Sequence, residues 1–146
     1  MSRYLSAEVR QLVAARADYL CEYCLIAEDD TFLGCEVDHI ISLKHGGSSE
    51  VENLAYACVF CNRQKGSDIG SVSRQSGEFS RLFNPRTDRW SDHFHLTGST
   101  LQPLSLIGEV TARILNFNAA DRILERRALQ ETNKYPGQAA LIRMEK

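Results

Sequence analysis

The chain has 146 residues, of which 43% are hydrophobic and 25% charged, and its formal net charge is −2. This length suits one globular domain with an ordinary core and is too short for two independent ones. No apolar run reaches the roughly 20 residues that a membrane helix needs. Residues 1–5 lack the hydrophobic core of a secretion signal, so we expect a cytoplasmic protein that does not engage a membrane.

The charge is distributed unevenly along the chain. Residues 18–52 carry a net charge of −8, whereas residues 61–91 carry a net charge of +3. A local phosphate-binding face is therefore compatible with the slightly acidic total. Because charged runs are commonly just solvated surface, this pattern permits nucleic acid as a partner without requiring it.

The first half of the chain contains short periodic segments around two cysteine pairs. Ser6 is a suitable cap for a helix that runs to about Asp18 and has one apolar face. Short strands are predicted at 35–41 and 54–57, joined by a glycine-containing loop. A second helix should begin at Asn62 and end at the glycines that follow.

A hairpin is predicted in the second half. Residues 70–80, which contain several Ser, Gly and Arg residues, are interpreted as a connection. Residues 93–96 and 101–104 have strand character and flank a Thr-Gly-Ser-Thr turn. Pro103 confines the second of these strands to a sheet edge, because proline cannot donate a ladder hydrogen bond.

Two helices should follow this hairpin. Ser105 is placed to cap a helix that extends to about Phe117. Asn118, with Asp121 three residues later, is placed to cap another that extends to about Thr132. We expect the last ten residues to be loosely held, as chain termini commonly are.

Five cysteines form the strongest pattern in the sequence. Two Cys-x-x-Cys pairs, Cys21 with Cys24 and Cys58 with Cys61, leave Cys35 over. Such turns direct both sulfurs at one centre, and two of them complete the tetrahedral tetrathiolate shell of structural zinc. Four thiolates fill this shell, so the zinc should stabilise the fold and take no part in catalysis. A redox dithiol or paired disulfides remain the alternatives, and Cys35 is interpreted as a small buried apolar residue.

A second group of residues lies in and after the long insertion between the cysteine pairs. Asp38 and His39 are adjacent on the first predicted strand, Asn53 precedes the second, and Asn62 follows the last cysteine. Carboxylate and amide oxygens are hard ligands suited to Mg²⁺. Imidazole, with an ordinary pKa of about 6.5, can accept a proton from water at neutral pH. Taken alone, an adjacent Asp and His are more often structural than catalytic.

Together these patterns resemble the HNH endonuclease family, in its zinc-containing branch with two Cys-x-x-Cys pairs. The resemblance covers about residues 15–70, close to half of the chain. Its order and spacing make a chance match improbable. The motifs that carry it are Cys21-x-x-Cys24, Val37-Asp38-His39-Ile40, His45-Gly46-Gly47, Asn53-Leu54 and Cys58-x-x-Cys61-Asn62-x-x-Lys65-Gly66.

The resemblance implies a role for each residue of the second group. His39 would be the general base that activates the attacking water, and Asp38 would ligate a catalytic divalent metal. Asn62 would supply the other protein ligand, and Asn53 would hold the loop that orients the His39 ring. Many members of the family have His where this chain has Asn62, and the amide oxygen favours Mg²⁺ or Mn²⁺ over Zn²⁺ or Ni²⁺.

Three basic residues are weaker candidates for contact with nucleic acid. Lys65 lies one helical turn beyond Asn62 and is placed to meet a phosphate, although a solvated helix lysine is equally compatible. Arg63 lies on the same predicted helix. Arg86 precedes Trp90. The alternative to a nucleic-acid contact is a surface arginine that packs on an aromatic ring, which is the commoner arrangement.

We therefore predict an α+β fold: a ββα-metal (His-Me) finger stapled by a four-cysteine zinc site, with one helix before it and a hairpin plus helices after it. Residues 1–70 should form the nuclease core and residues 71–146 an extension packed on it. The predicted activity is metal-dependent hydrolysis of nucleic-acid phosphodiesters, with DNA as the expected substrate. The alternative is an inactive zinc-stapled module that binds nucleic acid.

Overall fold

The structure, a computed structural model, describes residues 5–146, and within this range the chain has the predicted α+β character. Three antiparallel sheets of two strands each are combined with six α-helices. No helix in residues 5–146 is both long and apolar enough to cross a membrane. In chain order the elements are α1 (Ala7–Arg16), β1 (Cys35–His39), β2 (Leu54–Cys58), α2 (Val59–Lys65), β3 (Gly70–Val72), β4 (Phe79–Arg81), α3 (Trp90–His93), β5 (Phe94–Thr97), β6 (Thr100–Pro103), α4 (Leu106–Ile114), α5 (Ala120–Glu131) and α6 (Gln138–Glu145).

The finger consists of β1, β2 and α2. β1 pairs with β2 in a register that runs from Cys35 opposite Cys58 to His39 opposite Leu54. The helix starts at Val59, three residues before the predicted start at Asn62. Its N-cap is Cys58, whose sulfur accepts the backbone N–H of Cys61, so the second cysteine pair forms the first turn of α2.

α1 lies on the finger and is capped as predicted. The Ser6 hydroxyl accepts the backbone N–H of Val9 at 3.1 Å. The helix ends at Arg16, slightly before the predicted end at Asp18. Its apolar face joins β2 in a small core of its own, formed by Leu5, Val13, Ala14, Ala17, Leu54 and Tyr56.

Residues 70–80, predicted as a plain connection, instead belong to a third hairpin formed by β3 and β4. These strands have three residues each, too few to show an alternating apolar pattern. A residue of another element stabilises this hairpin. Arg113 of α4 donates hydrogen bonds to the Ser71 hydroxyl and the Val72 carbonyl. The stabilising contact is therefore tertiary.

The β5–β6 hairpin agrees with the predicted one to within one residue at each end. Helix α4 is capped by Ser105, as predicted, but it ends at Ile114 and not at Phe117. The capping role predicted for Asn118 is wrong, because the residue at the N-cap of α5 is Ala119. The Asn118 amide instead makes two 2.9 Å hydrogen bonds to the backbone of Leu101 in β6.

The last ten residues are also better ordered than predicted. Residues 138–145 form α6, in which Ala140 is fully buried. Arg143 of this helix donates hydrogen bonds to the Arg16 carbonyl and the Asp18 carboxylate, both at 3.2 Å. The end of the chain is thus tied to the end of α1, a contact that has no local sequence signal.

The main core runs through both halves of the chain, from Leu20 to Ala140. An aromatic group lies at its centre: the Phe94 ring has its centroid within 5.5 Å of those of Phe83, Trp90 and Phe117. The Trp90 indole N–H donates to the Tyr23 carbonyl, between the cysteines of the first pair, at 2.8 Å. The extension and the finger therefore share one apolar core.

We expect the two halves of the chain to unfold together because they share this core. Phe94→Ala should lower the free energy of unfolding by about 3–5 kcal/mol, the usual effect of emptying a buried phenylalanine site. The matched control is Phe79→Ala, whose ring is 65% exposed, and which should stay within about 0.5 kcal/mol. Urea denaturation followed by tryptophan fluorescence and far-ultraviolet circular dichroism measures both. Two separate transitions would show that the halves are independent.

Candidate functional site

Four buried sulfur atoms come together where the two cysteine pairs meet. Those of Cys21, Cys24, Cys58 and Cys61 all lie within 4.8 Å of one another, and all four residues are fully buried. Within each pair the backbone N–H of the second cysteine donates to the sulfur of the first at 3.4 Å. These local hydrogen bonds direct both sulfurs of a pair to the same side.

This group has the geometry of a four-thiolate metal site. Sulfurs bound tetrahedrally at about 2.3 Å from a zinc ion lie about 3.8 Å from one another. The Cys24 and Cys58 sulfurs are 3.8 Å apart, and every cysteine is free of disulfide bonds. Hydrogen bonds from the other three thiols, together with the charge of Arg122, hold the pKa of Cys24 well below its ordinary value. The donor set fits zinc in a closed coordination shell.

Cys35 lies outside this group. It is half-buried, at the start of β1 and opposite Cys58. Burial raises the pKa of its thiol above the ordinary value, which favours the protonated form. Its sulfur does not belong to the group of four that lie within 4.8 Å of one another, so Cys35 is not placed to be a further ligand.

A separate groove of about 440 Å³ runs along the finger and contains Asp38, His39 and Asn62. The first two stand at the end of β1, and the third lies on the second turn of α2. The four cysteines are absent from the groove's lining, which consists of residues 37–39, 42–44, 62, 66 and 67. The finger thus separates a closed sulfur site from an open polar one.

The Asp38 carboxylate is only 4% exposed and is held by two neighbours. The Tyr23 hydroxyl donates to one oxygen at 2.8 Å, and the Lys65 ammonium lies 3.2 Å from both. Burial raises the pKa of the Asp38 carboxyl, while Lys65 and Tyr23 oppose the shift. Burial and the nearby Asp38 also raise the pKa of Tyr23, so its hydroxyl stays protonated and donates.

The position of Lys65 differs from both interpretations of the sequence. The residue is 1% exposed, so it is neither a solvated helix lysine nor an exposed phosphate contact. Besides Asp38, its ammonium group donates to the His39 carbonyl at 3.0 Å. It therefore supplies a built-in positive charge beneath the end of β1.

Separate hydrogen bonds hold the His39 ring and the loop that follows it. The His39 Nε2 atom and the Ser49 hydroxyl are 3.0 Å apart. The Asn53 side chain clasps the same loop: it accepts from the Ile41 N–H at 2.9 Å and donates to the Ile41 and Ser48 carbonyls at 2.8 and 2.7 Å. Asn53 thus links Ile41 to Ser48, and its role in orienting the His39 ring stays a prediction.

Gly47 lies at the closest point of this clasp. A Cβ atom at that position would stand 1.7 Å from the Ile41 carbonyl oxygen and 2.8 Å from the Asn53 amide nitrogen. Any side chain would therefore force the loop away from β1. The His-Gly-Gly motif of the sequence thus has a steric explanation at its second glycine.

Asn62 has a defined amide orientation. Its Nδ2 atom donates to the Glu36 carboxylate of β1 at 2.7 Å, which makes Oδ1 the acceptor end of the amide in the groove. An amide oxygen and a carboxylate in one groove form a hard donor set suited to Mg²⁺ or Mn²⁺. The Asp38 carboxylate is shared with Lys65, so a cation bound there would meet a positive neighbour.

The other two basic candidates differ in their surroundings. Arg63 is exposed on α2, as a nucleic-acid contact requires. Arg86 forms an ion pair with Glu22, which is 2% exposed and also accepts the backbone N–H of Tyr56 at 2.9 Å. This buried pair gives Arg86 a structural partner, and it does not line the groove around His39.

A family model matches the segment of the chain that contains both the sulfur cluster and the groove. The family model described as HNH endonuclease matches residues 21–68, from the first cysteine of the cluster to just beyond α2. This segment, about a third of the chain, is similar to an HNH endonuclease domain. Among curated proteins, none matches the chain significantly. HNH domains act as nucleases or bind nucleic acid, and this defines the class of function to which the site belongs.

Sequence reasoning missed several residues that support the HNH site. Tyr23, Glu36 and Ser49 each hold one of the predicted groove residues. Tyr23 lies within the first Cys-x-x-Cys turn, where a local pattern does not distinguish it from any other spacer residue. Their roles depend on the pairing of β1 with β2 and on the packing of α2 beneath it.

We predict one zinc ion per chain, bound by the four clustered cysteines, and measurable by elemental mass spectrometry on protein purified without added metal. Cys58→Ser should lose the zinc and lower the melting temperature strongly, because the site links two distant chain segments. Cys35→Ser is the matched control and should keep a full zinc content. A zinc-free native protein, or loss of zinc in the control alone, would contradict the assignment.

Proposed function

We propose that this protein is a metal-dependent endonuclease that hydrolyses DNA phosphodiesters. The observation that carries the proposal is the shared groove of Asp38, His39 and Asn62 in an HNH domain, apart from the sulfur cluster. A binding module needs neither an oriented imidazole nor a pair of hard oxygen donors beside it. The groove combines both within one open surface.

His39 is assigned the role of general base. Its ring takes a proton from a water molecule as the water oxygen forms a bond to phosphorus. The bond from phosphorus to the 3′ oxygen breaks, and that oxygen is protonated from solvent, which leaves a 5′ phosphate and a 3′ hydroxyl. Ser49 and the clasp of Asn53 support this role, because a base must be held at a constant distance from its water.

Asp38 and Asn62 are assigned the binding of a divalent cation, Mg²⁺ or Mn²⁺. When bound, such a cation stabilises the charge that develops on the phosphate and the leaving oxygen. Glu36 orients the Asn62 amide, and Tyr23 and Lys65 fix the Asp38 carboxylate. The positive charge of Lys65 repels a metal cation at Asp38. We therefore expect tight metal binding only when a negatively charged substrate phosphate is also present.

The form of the groove and the exposed basic residues at it support a nucleic-acid substrate, and we propose that this substrate is DNA. The groove is open along the finger, and Lys44 is an exposed residue of its lining. Arg63 is exposed one residue beyond Asn62. Both are suited to contact phosphates on either side of the scissile bond, a contact that positions a nucleic acid without selecting its sequence.

The base is tested by replacing His39 and a matched exposed histidine. His39→Ala should reduce the rate of plasmid cleavage by roughly 10²–10⁴-fold, the usual contribution of a general base, while DNA binding persists. His95→Ala removes an exposed histidine of β5 and should cleave at the rate of the parent. Single-turnover cleavage with and without Mg²⁺ and a gel-shift titration measure both variants. Full activity in His39→Ala would leave the inactive binding module as the better interpretation.

The cation site is tested at Asn62, because Asp38 is buried and its loss would disturb folding as well. Asn62→Ala should raise the Mg²⁺ concentration that gives half-maximal cleavage by about tenfold, with the rate partly restored at high Mg²⁺. Gln64→Ala, which removes an exposed amide two residues away on α2, is the control and should leave the Mg²⁺ dependence unchanged. An unchanged half-maximal Mg²⁺ concentration, with the rate reduced by the same factor throughout the titration, would exclude a role in metal binding.

A further inference from the structure

Arg122 of α5 makes an unusual contact with the sulfur cluster. Its Nη2 atom donates to the Cys24 sulfur at 3.3 Å and approaches the Cys58 sulfur at 3.8 Å. Its Nη1 atom lies 3.8 Å from the Cys61 sulfur. One guanidinium group from the extension thus reaches three of the four sulfurs, although 98 residues separate it from Cys24.

The rest of the Arg122 side chain is fixed. The guanidinium carbon lies 5.2 Å from the ring centroid of Phe60, a spacer residue of the second cysteine pair. The Nε atom donates to the Glu125 carboxylate at 3.0 Å, one turn later on α5. The residue as a whole is 4% exposed. The guanidinium is therefore held in a single place, with its two terminal nitrogens at the sulfurs.

The charge of the cluster explains why a cation is buried there. Four thiolates around a divalent ion carry a net charge of −2, which is unfavourable in an apolar interior. Neutral thiols would offer a buried guanidinium little compensation for its lost hydration. The contact of Arg122 with three sulfurs therefore fits a metal-bound cluster better than a group of four protonated thiols.

We propose that Arg122 retains zinc in the cluster, by donating hydrogen bonds to the thiolate sulfurs and offsetting their negative charge. Such bonds withdraw electron density from sulfur and make each thiolate a poorer target for protons and electrophiles. Zinc retention then depends on the extension as well as on the finger. The proposal rests on the zinc assignment and does not depend on nuclease activity.

Arg126 provides a matched control on the same helix. Its guanidinium is likewise fully buried, but it donates to the Ser99 and Phe117 carbonyls, both at 2.7 Å. Replacing either arginine by glutamine therefore removes one buried cation from α5. Only Arg122→Gln removes donors from the sulfurs.

The test compares zinc release from full-length, zinc-loaded proteins, with a chromogenic zinc chelator in excess and below the melting temperature of each variant. Arg122→Gln should release zinc at least tenfold faster than the parent. Arg122→Lys, which keeps a charge but loses the planar fork of donors, should lie between them. Arg126→Gln should release zinc at the parental rate. Equal rates for parent and Arg122→Gln, or equal acceleration in both glutamine variants, would overturn the proposal.

A spectroscopic measurement separates sulfur bonding from general destabilisation. With Co²⁺ in place of zinc, removal of hydrogen bonds from the thiolates should move the sulfur-to-cobalt charge-transfer band to lower energy in Arg122→Gln. Arg126→Gln should leave the band in place. Should Arg122→Gln not fold, Arg122→Lys serves for both measurements, and parental release together with an unshifted band would then refute the role of Arg122. Absence of zinc from the parent would instead refute the cysteine assignment.

Discussion

Four sulfur atoms join two chain segments that lie 34 residues apart, and the rest of the domain is arranged around that junction. Each Cys-x-x-Cys turn is organised locally by a backbone N–H bonded to sulfur. Cys58 ends β2 and caps α2, so the helix starts at the second pair. The groove lies between this helix, which carries Asn62, and the end of β1, which carries Asp38 and His39.

Asp38, His39 and Asn62 are each restrained by side chains that do not line the groove. A buried carboxylate is unfavourable unless it is paired, and the ammonium of Lys65 with the hydroxyl of Tyr23 satisfies Asp38. Asn53 holds the loop that carries the Ser49 partner of His39. This arrangement is consistent with catalysis, which requires reacting groups to be positioned before substrate binds.

The extension, residues 71–146, contributes side chains to the common core and to the surroundings of the sulfur cluster. It supplies aromatic rings to the common core, an indole that bonds to the backbone of the first cysteine turn, and a guanidinium at the sulfurs. The indole and guanidinium contacts both end on the cysteine pairs. A finger of this size buries little apolar surface by itself, so a metal and a packed extension are two ways to offset the entropy lost on folding.

The roles of Asp38, His39 and Asn62 were predicted from a family resemblance and stay predictions. The sequence by itself determined the local elements: the caps at Ser6 and Ser105, the two Cys-x-x-Cys turns and both finger strands. Each depends on residues a few positions apart, whose geometry the backbone dictates. Tertiary structure alone decided the burial of Lys65 against Asp38, the bond of Asn118 to β6, the β3–β4 hairpin, the order of α6 and the place of Arg122. The contacts that hold them, including those of Arg113 with the β3–β4 hairpin and of Arg143 with α1, join residues from 17 to 127 positions apart. Their strength comes from removal of water by the whole fold, which no local pattern records.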